Sequence, residues 1–453
     1  KMRADGAPQV AIDTFAHYYE RLAAGEQGTL GEDEIEPVDD VPDADELRDP
    51  GDDAAELLDK AVAIRLNGGL GTSMGMTKAK SLLEAKDGLS FLDVIARQVL
   101  GLRERSGARV PLVLMNSFAT RDESLEALER HEGLSADLPP DFVQGRVPKI
   151  EAGDELRPVS WPDDPDMEWA PPGHGDIYTS LKTSGMLEKM LDAGYEYAFV
   201  ANSDNLGATL DPRILAWFAG ERLPFAMEVA DRTGADRKGG HIARRRDGGG
   251  LVLREVAQTP DEDMDAFQDV ERHRYFNTNN LWIDLRALAD LMDERDGVLG
   301  LPMIVNRKTA DPGDKSSPAV YQLETAMGAA IDVFDSAAAL RVPRTRLAPV
   351  KTTSDLLALR SDAYVLRDDA GVELAPERDG RPPLVELDDD YYKLLRDFDA
   401  RFEHGPPSLV ECERLTVEGD VAFGSDVVVR GEVRVSNDGD EQLRIDDGTV
   451  LEP

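Results

Sequence analysis

Apolar and polar positions in the first half of the chain follow two alternating patterns. Short, almost wholly apolar runs predict buried strands at 61–66, 110–115 and 197–201. Apolar residues at helical spacing predict helices at 91–105, 123–131 and 178–193. Because strands alternate with helices, the pattern indicates an α/β fold with a mostly parallel, doubly wound sheet.

The N-terminal part of the chain has a different distribution of apolar and charged residues. Residues 12–22 predict a short helix, and residues 32–59 are dense in acids with little apolar content. Such a segment is typical of a solvated connector. We therefore expect an N-terminal helix and acidic connector at 1–59, a central α/β domain at 60–360 and a C-terminal domain at 361–453.

The C-terminal domain contains a six-residue repeat. The first apolar position recurs at Leu415, Val421, Val427 and Val433, and the second at Val417, Phe423, Val429 and Val435. Small or polar residues mark the corners at Gly419, Ser425, Gly431 and Asn437. Two apolar residues in every six predict a β-helix, in which each inward row stacks on the next. A hairpin would give alternation without this period.

Charge and cysteine content narrow the class of partner. Asp and Glu number 90 against 51 Lys and Arg, a net charge of −39, which repels nucleic acids and anionic membranes. No apolar run is long enough for a membrane span, and residues 1–10 lack the apolar core of a signal peptide. Cys412 is the single cysteine, so no intrachain disulfide forms. We expect a cytoplasmic protein that binds neither nucleic acid nor membrane.

A glycine-rich loop follows the first strand of the predicted sheet. Residues 67–75 read NGGLGTSMG and match neither the dinucleotide fingerprint nor the P-loop. Glycines after a buried strand suit a ligand that approaches the backbone closely, although a tight turn would also use them. Lys80 lies close enough to meet a polyphosphate at this loop, and Lys78 is an alternative.

Two polar clusters indicate further site residues. His174 lies between glycines in the bend PPGHGD (171–176), which would display its imidazole, although a lone histidine is often structural. Residues 202–205 (NSDN) follow the strand at 197–201, where open α/β sheets place ligands. Asp204 is a fitting ligand for Mg²⁺ bound to phosphates, but it could instead cap the next turn.

Two later segments carry amides and a lysine. Residues 276–282 (FNTNNLW) place Asn279 beside aromatic residues, and amides pair well with sugar hydroxyls, although a turn explains them too. Lys351 lies near the start of an apolar helix at 356–360, a position favourable to anions. Ser354 or Asp355 could cap that helix.

Seven segments in order together resemble the eukaryotic-type UTP–glucose-1-phosphate uridylyltransferases, also called UDP-glucose pyrophosphorylases. These segments are LNGGLGTSMG (66–75) with Lys80, PLVLMNSF (111–118), PPGHGDIY (171–178), FVANSDNLGATLD (199–211), FNTNNLW (276–282), QLETAMGAAI (322–331) and VPRTRLAPVKTTSDLL (342–357).

The resemblance implies a GT-A-like nucleotide-binding domain with a mixed sheet and a C-terminal left-handed β-helix. It implies an enzyme that makes UDP-glucose and pyrophosphate from UTP and glucose 1-phosphate with Mg²⁺. The implied substrate-binding residues are Leu66, Asn67, Gly68, Gly69, Gln144, Gly173, His174, Asn202, Ser203, Asp204 and Asn279. Lys80 and Lys351 would contact the phosphates, and Asp204 would hold the metal.

Other functions fit parts of the sequence. A broader UDP-sugar or UDP-N-acetylhexosamine pyrophosphorylase would typically have an Arg in the glycine loop, where this chain has Ser73 and Met74. A non-catalytic UDP-glucose-binding scaffold would be expected to lose Lys80, Lys351 or Asp204. A nicotinamide oxidoreductase would need a dinucleotide fingerprint. The C-terminal domain could also support a homo-oligomer.

Overall fold

The computed structural model describes residues 1–453, with the side chains of residues 52 and 235 outside the description. Its α-helices are α1 (Gln9–Ala23), α2 (Ala54–Leu58), α3 (Phe91–Ser106), α4 (Arg121–Glu129), α5 (Asp176–Thr183), α6 (Met186–Asp192), α7 (Pro212–Gly220), α8 (Met264–Gln268), α9 (Leu285–Glu294), α10 (Thr353–Arg360), α11 (Asp389–Tyr392) and α12 (Leu395–Arg401). None of the described helices is both long and apolar enough to cross a membrane.

The strands before residue 310 are β1 (Ile35–Pro37), β2 (Ala61–Asn67), β3 (Glu84–Lys86), β4 (Leu89–Ser90), β5 (Leu112–Asn116), β6 (Asp141–Val143), β7 (Val147–Pro148), β8 (Ile150–Glu151), β9 (Trp169–Ala170), β10 (Tyr197–Asn202), β11 (Phe225–Asp231), β12 (His241–Arg245), β13 (Leu251–Arg254), β14 (Tyr275–Asp284) and β15 (Met303–Thr309). The later strands are β16 (Ala319–Thr325), β17 (Ala338–Arg341), β18 (Tyr364–Leu366), β19 (Val372–Leu374), β20 (Leu384–Leu387), β21 (Cys412–Glu418), β22 (Val421–Phe423), β23 (Val428–Val429), β24 (Gly431–Ser436), β25 (Leu443–Ile445) and β26 (Val450–Leu451).

A large mixed sheet forms the centre of the molecule. Its main path runs β1-β12-β14-β10-β2-β5-β6, while β11 lies beside β14 and β17, and β13 beside β12. Strands β10, β2, β5 and β6 are parallel, and β14 is antiparallel to β10 and β11. The mixed α/β sheet that the resemblance implies is confirmed. The mostly parallel sheet predicted from the apolar pattern is wrong for the sheet as a whole, because β1, β12, β13 and β14 pair in antiparallel fashion.

Both faces of this sheet are covered. Alternate residues of β2 enter different hydrophobic clusters, with Ala61 and Ala63 in one and Val62 and Ile64 in the other. Such double burial explains why the central strands are continuous apolar runs rather than alternating ones. The first cluster continues into the C-terminal part of the chain, where it includes Leu415.

Most predicted elements are present, with shifted ends, but the predicted helix at 178–193 is wrong as a single helix. It forms two helices, α5 and α6, which are separated at Ser184 and Gly185. Gly185 has a left-handed backbone with φ of 68°. A glycine adopts this conformation without steric cost, so it ends one helix and starts the next in a new direction.

The interpretation of residues 32–59 as a solvated connector is also wrong. Strand β1 adds to the large sheet by pairing with β12, and Ile35 is fully buried. The Glu32 carboxylate accepts hydrogen bonds from Arg254 at 2.6 Å and Arg272 at 2.7 Å. The high acid content of the segment led to the wrong prediction, because a few apolar residues such as Ile35 are enough to pack it against the large sheet. The predicted domain boundaries themselves stay predictions.

The C-terminal repeat builds stacked parallel strands. Strand β21 lies between β20 and β24, β22 pairs with β25, and β23 with β26, all parallel. All eight apolar positions of the repeat are buried. Leu415 pairs with Val433, three repeats later. Val421 pairs with Leu443, four residues later than the repeat requires, so an insertion after Asn437 interrupts the period.

Candidate functional site

A cavity of about 330 Å³ opens at the carboxyl edge of the parallel strands β2, β5 and β10. It is lined by Leu66, Asn67, Gly68, Gly69, Lys80, Ser81, Met115, Gln144, Pro171, Gly173, His174, Asn202, Ser203 and Asp204. All the site residues predicted from the sequence are therefore brought together, except Asn279 and Lys351. The cavity lies where open α/β sheets bind their ligands.

The glycine loop presents backbone to the cavity. The Asn67 amide nitrogen donates to Asn116 Oδ1 at 2.7 Å and Ser124 Oγ at 2.8 Å, which ties its side chain to β5 and α4. A Cβ on Gly68 would lie only 2.7 Å from Gln144 Oε1. The Gln144 amide therefore packs closely against the loop at Gly68. Backbone groups of the loop and one side-chain amide form one end of the cavity.

Lys80 and Asp204 form an ion pair inside the cavity. Lys80 Nζ lies 2.7 Å from Asp204 Oδ2, and both side chains are about four-fifths buried. The alternative lysine, Lys78, is 67% exposed and lies 3.7 Å from Glu123. Of the two lysines, the structure places Lys80 in the cavity.

The imidazole of His174 is fixed by the backbone. The Met327 N–H donates to His174 Nδ1 at 3.0 Å. Burial lowers the pKa of His174 to about 4, so the ring is neutral near pH 7. Because Nδ1 accepts a hydrogen bond, the proton of the neutral ring is on Nε2. His174 can therefore offer an Nε2–H donor to an anionic or hydroxyl oxygen.

Gly173 lets a strand approach this bend closely. It has φ of 80°, and a Cβ there would lie 2.4 Å from the Thr325 carbonyl oxygen. The bend is held to β16 by two backbone hydrogen bonds, from Thr325 to Pro172 at 3.0 Å and from Gly175 to Thr325 at 2.8 Å. Strand β16 thus sets the position of His174.

The segment after β10 is held by the glycine-loop strand and by the chain before α10. The Ser203 hydroxyl donates to the Leu66 carbonyl at 2.7 Å. The Asp204 carbonyl accepts from the Val350 N–H at 3.1 Å. Asp204 is therefore fixed from two sides, and Ser203 serves at least a structural purpose.

Lys351 does not line the cavity, although the residue before it, Val350, contacts the lining residue Asp204. It is exposed, and its backbone N–H donates to Asp355 at 2.8 Å. Thr352 caps helix α10, with Asp355 reciprocating, so the predicted caps Ser354 and Asp355 are wrong. The residue before Lys351 bonds Asp204, which places Lys351 at the edge of the site.

Asn279 also lies outside the lining of the cavity. It has a left-handed backbone, with φ of 59°, next to an irregularity in the pairing of β14 with β11. The amide nitrogen of Asn277 donates to Asn279 Oδ1 at 2.9 Å. Asn is one of the few residues that tolerate this conformation, so the backbone geometry alone can account for an asparagine at position 279.

Sequence reasoning missed a buried network beneath Asp204. Glu228 is fully buried and accepts from Arg346 at 2.6 Å, Trp282 at 3.0 Å and Asn280 at 2.9 Å. Asn205 donates to the Arg346 carbonyl at 3.1 Å. The sequence feature that could have revealed this network is Glu228, the single charged residue in the apolar run 225–230. A carboxylate is rarely buried without partners, so its position predicts buried donors around it.

The missed lining residues are Ser81, Met115 and Pro171. Met115 and Pro171 lie inside segments that carry the resemblance, and Ser81 follows Lys80. Together, the glycine loop, the lysine–carboxylate pair and the strand-end position define an α/β protein with a site for a phosphate-bearing ligand.

Comparison with known proteins identifies the family. The family model for UTP–glucose-1-phosphate uridylyltransferase matches residues 12–430. The enzyme of that name from Solanum tuberosum is 41% identical over 444 residues, covering 96% of this chain and 90% of its own. The one from Hordeum vulgare is 43% identical over 396 residues, covering 87% and 81%.

A solved structure agrees with these relatives. A mutant of UDP-glucose pyrophosphorylase from Leishmania major, in complex with UDP-glucose, aligns with a TM-score of 0.93. The sequence identity is 45%, and the alignment covers 100% of this chain and 96% of that one. The chain belongs to the UTP–glucose-1-phosphate uridylyltransferase family.

Proposed function

We propose that this chain makes UDP-glucose and pyrophosphate from UTP and glucose 1-phosphate. The observation that carries the proposal is the strand-end cavity, which holds the glycine loop, Lys80, His174 and Asp204 together in a chain of this family. The Leishmania major protein of similar structure was solved with UDP-glucose bound.

The uridine end of the cavity would be the glycine loop. The backbone of Leu66–Gly69 and the side-chain amide of Gln144 hold the uracil, and Gly173 lies beside the nucleotide. The close approach of Gln144 Oε1 to Gly68 supports this pairing, because it leaves backbone and amide groups on one edge. A base needs such in-plane donors and acceptors.

The sugar end would lie toward His174. Its neutral ring donates from Nε2 to the sugar phosphate, while Asn202 and Asn279 contact the glucose hydroxyls, with Ser203 supporting the loop. The hydrogen bond from Met327 to His174 Nδ1 supports this tautomer. Asn279 does not line the cavity, so its contact with the glucose would lie beyond the lining residues.

The residues present fit a Mg²⁺ ion that is bound together with substrate. Among the described residues, no group of three His, Cys, Asp or Glu side chains is placed to hold a metal. Mg²⁺ typically takes one or two carboxylates and completes its shell with substrate phosphates and water. Asp204 is the one described carboxylate in the cavity lining, so we propose it as the protein ligand. Bound there, the ion would neutralise phosphate charge.

The Lys80–Asp204 pair gives this proposal a structural basis. With substrate, Lys80 would turn to the phosphates, and Asp204 would be released for the cation. Each partner then exchanges one opposite charge for another, so neither is left buried and unpaired. Lys351 approaches from the start of α10 and adds a second positive charge.

The reaction is an in-line displacement at the α-phosphorus of UTP. A phosphate oxygen of glucose 1-phosphate forms the new O–P bond, the bond to the β-phosphate breaks, and pyrophosphate leaves. The nucleophile is already ionised near pH 7, so no general base is required. Lys80 and Lys351 lower the barrier by holding charge at the α-phosphoryl group and by positioning the two substrates.

The remaining expectations concern the whole chain. We propose a GT-A-like catalytic domain at 60–360 and a left-handed β-helix within 361–453, supported by its stacked parallel strands. We also propose that the chain forms a homo-oligomer through this domain. A single cysteine is consistent with the cytoplasm.

The proposed function is tested by pyrophosphate release from UTP, Mg²⁺ and glucose 1-phosphate. Parallel reactions replace glucose 1-phosphate with N-acetylglucosamine 1-phosphate or galactose 1-phosphate, and UTP with dTTP. We expect fast release only with UTP and glucose 1-phosphate. Preference for another sugar phosphate would contradict the assigned substrate, and absence of release with tight UDP-glucose binding would indicate a scaffold.

A further inference from the structure

The loop that follows strand β10 runs beside the chain that precedes helix α10. At one end of this pairing, the Asp204 carbonyl accepts from the Val350 N–H at 3.1 Å. At the other end, a Cβ on Gly207 would lie 2.4 Å from the Thr345 carbonyl oxygen, so the two backbones are in close contact. Lys351 follows Val350 directly. The pairing of the two segments therefore sets where this lysine enters the edge of the catalytic cavity.

Asn205 is the side chain that joins these two segments. It is only 2% exposed and is not among the residues that line the catalytic cavity. Its Oδ1 accepts from the Ala348 N–H at 2.9 Å, and its Nδ2 donates to the Arg346 carbonyl at 3.1 Å. The backbones of Asn205 and Pro349 also form an isolated antiparallel bridge. Both ends of one buried amide therefore hold the chain before α10.

The chain that Asn205 holds has a fixed base. The Arg346 guanidinium donates to the Glu228 carboxylate from Nε at 2.8 Å and from Nη2 at 2.6 Å. Separation of this buried pair would be costly, so Arg346 is held in one place. The chain then leads to Lys351, whose side chain is exposed. The position of the lysine ammonium therefore depends on the backbone that carries it.

Asp204 has contacts of its own that do not involve the Asn205 side chain. Its carboxylate pairs with Lys80 at 2.7 Å, and the Ser203 hydroxyl beside it donates to the Leu66 carbonyl at 2.7 Å. We therefore expect the Asp204 carboxylate to keep its place when the Asn205 amide is removed. The chain before α10, by contrast, would lose both of its hydrogen bonds to that amide.

We propose that Asn205 is a positioning residue for Lys351. Its amide holds the chain before α10 against the Asp204 loop, which keeps the lysine ammonium within reach of the α-phosphate. This role rests on the proposed function, because it assigns Asn205 to the same reaction. A charged group that is misplaced by about 1 Å can slow a reaction about 100-fold, so a backbone shift at this segment is enough to affect the rate.

The test is a double-mutant cycle measured by pyrophosphate release from UTP, Mg²⁺ and glucose 1-phosphate. The four proteins are the wild type, Asn205→Ala, Lys351→Ala and the double variant. We expect Asn205→Ala to lower kcat at least about 10-fold when Lys351 is present. In the Lys351→Ala background it should lower kcat by less than about 2-fold, because the group that it positions is then absent.

Asn437→Ala is the matched control. The Asn437 amide also holds two backbone carbonyls, those of Asp420 at 2.7 Å and Glu441 at 2.8 Å, but in the C-terminal part of the chain. This variant should lower the unfolding temperature and leave kcat unchanged. Asn205→Asp takes the place of Asn205→Ala in the same cycle if the alanine variant does not fold, because it keeps the side-chain shape and loses only the donor to the Arg346 carbonyl.

A titration of activity with Mg²⁺ separates this role from an effect on Asp204. The Mg²⁺ concentration for half-maximal activity should be the same in Asn205→Ala and in the wild type. An equal loss of kcat in both backgrounds, no loss in either, or a shifted Mg²⁺ titration would overturn the positioning role alone. Absence of pyrophosphate release by the wild-type chain would overturn the proposed function and the role of Asn205 with it.

Discussion

At the scale of single residues, the proposed reaction assigns charge at the α-phosphate to three side chains, of which only Lys80 and Asp204 line the cavity. Lys80 and Asp204 are already paired at 2.7 Å, whereas Lys351 is exposed at the edge of the cavity. Substitution of a residue of the buried pair and substitution of the exposed lysine should affect activity in different ways, so each is predicted separately.

Replacement of Lys351 by alanine is expected to lower kcat at least about 100-fold, the scale seen when one preorganised electrostatic group is lost. Stability should change little, because the side chain is exposed. Steady-state kinetics beside Lys78→Ala, which should remain close to wild type, provides the comparison. A near-normal kcat in Lys351→Ala would remove this lysine from the mechanism.

Replacement of Asp204 by alanine is expected to raise the Mg²⁺ concentration needed for half-maximal activity steeply. The cavity lining would then contain no described carboxylate to hold the ion. Titration of activity with Mg²⁺ measures the change, with Ser203→Ala as a neighbouring control that leaves the carboxylate in place. An unchanged titration would show that Asp204 is not the ligand.

The sequence predicted most residues of the cavity because they lie in short polar segments at strand ends. It did not predict the buried Glu228 network or the position of Lys351 outside the cavity. The Glu228 network depends on segments that are far apart in the chain, and no local pattern shows that they meet. The position of the Lys351 side chain likewise depends on how distant segments pack, which local sequence patterns do not show.

At the scale of elements, the bend before α5 and the start of that helix decide how the site is held. Gly173 passes against β16, and Asp176 Oδ2 accepts from the Gly145 N–H at 2.7 Å. The bend and the Gln144 loop are thus joined through one buried carboxyl group.

Replacement of Gly173 by alanine is expected to reduce activity strongly, because the new Cβ would lie 2.4 Å from the Thr325 carbonyl oxygen. The left-handed backbone there adds a further strain. The bend must shift, and His174 shifts with it. Gly153→Ala is the control, since nothing lies within 4 Å of a Cβ there. Full activity of Gly173→Ala would contradict the role of the close approach.

Asp176 should make stability depend on pH. Burial raises its pKa to about 6, from 3.8 for the free group. The folded protein therefore keeps a proton that the unfolded chain releases between about pH 4 and 6, so this group lowers stability as pH rises through that window. Asp176→Asn should become more stable relative to wild type by roughly 1–3 kcal/mol between about pH 4.5 and 7.

Urea unfolding of both proteins at several pH values measures this difference. Asp290→Asn, an exposed position on α9, provides the control. A stability difference that does not change with pH would show that Asp176 is ionised throughout.

Sequence patterns located most elements but not their ends or their breaks. The pattern predicts one continuous helix across Gly185, because apolar residues keep helical spacing on both sides of this glycine. The acidic segment at 32–59 read as solvated, because its charge count outweighed Ile35 and its neighbours, although β1 pairs in the main sheet. Local composition cannot show which partner covers a short apolar stretch.

At the scale of the whole molecule, one hydrophobic cluster joins the central sheet to the C-terminal strands. It contains Ala61 and Ala63 of β2 as well as Leu415 and Val417 of β21. The six-residue repeat predicted the buried rows of the C-terminal part, but nothing in the repeat predicted their continuity with the sheet.

Replacement of Leu415 by alanine is therefore expected to destabilise the whole chain by about 2–5 kcal/mol and to move one unfolding transition. Scanning calorimetry measures the transition, with Leu384→Ala, at a position 38% exposed, as the control that costs less. A separate early transition of the C-terminal part would show that the two regions unfold independently.

A crystal structure of this chain with UDP-glucose tests the proposed site directly. We expect uracil against Gly68 and Gln144, glucose beside His174, and Lys80 turned from Asp204 to the phosphates. UDP-glucose bound elsewhere, or in the cavity with its uracil toward His174, would contradict the proposed site.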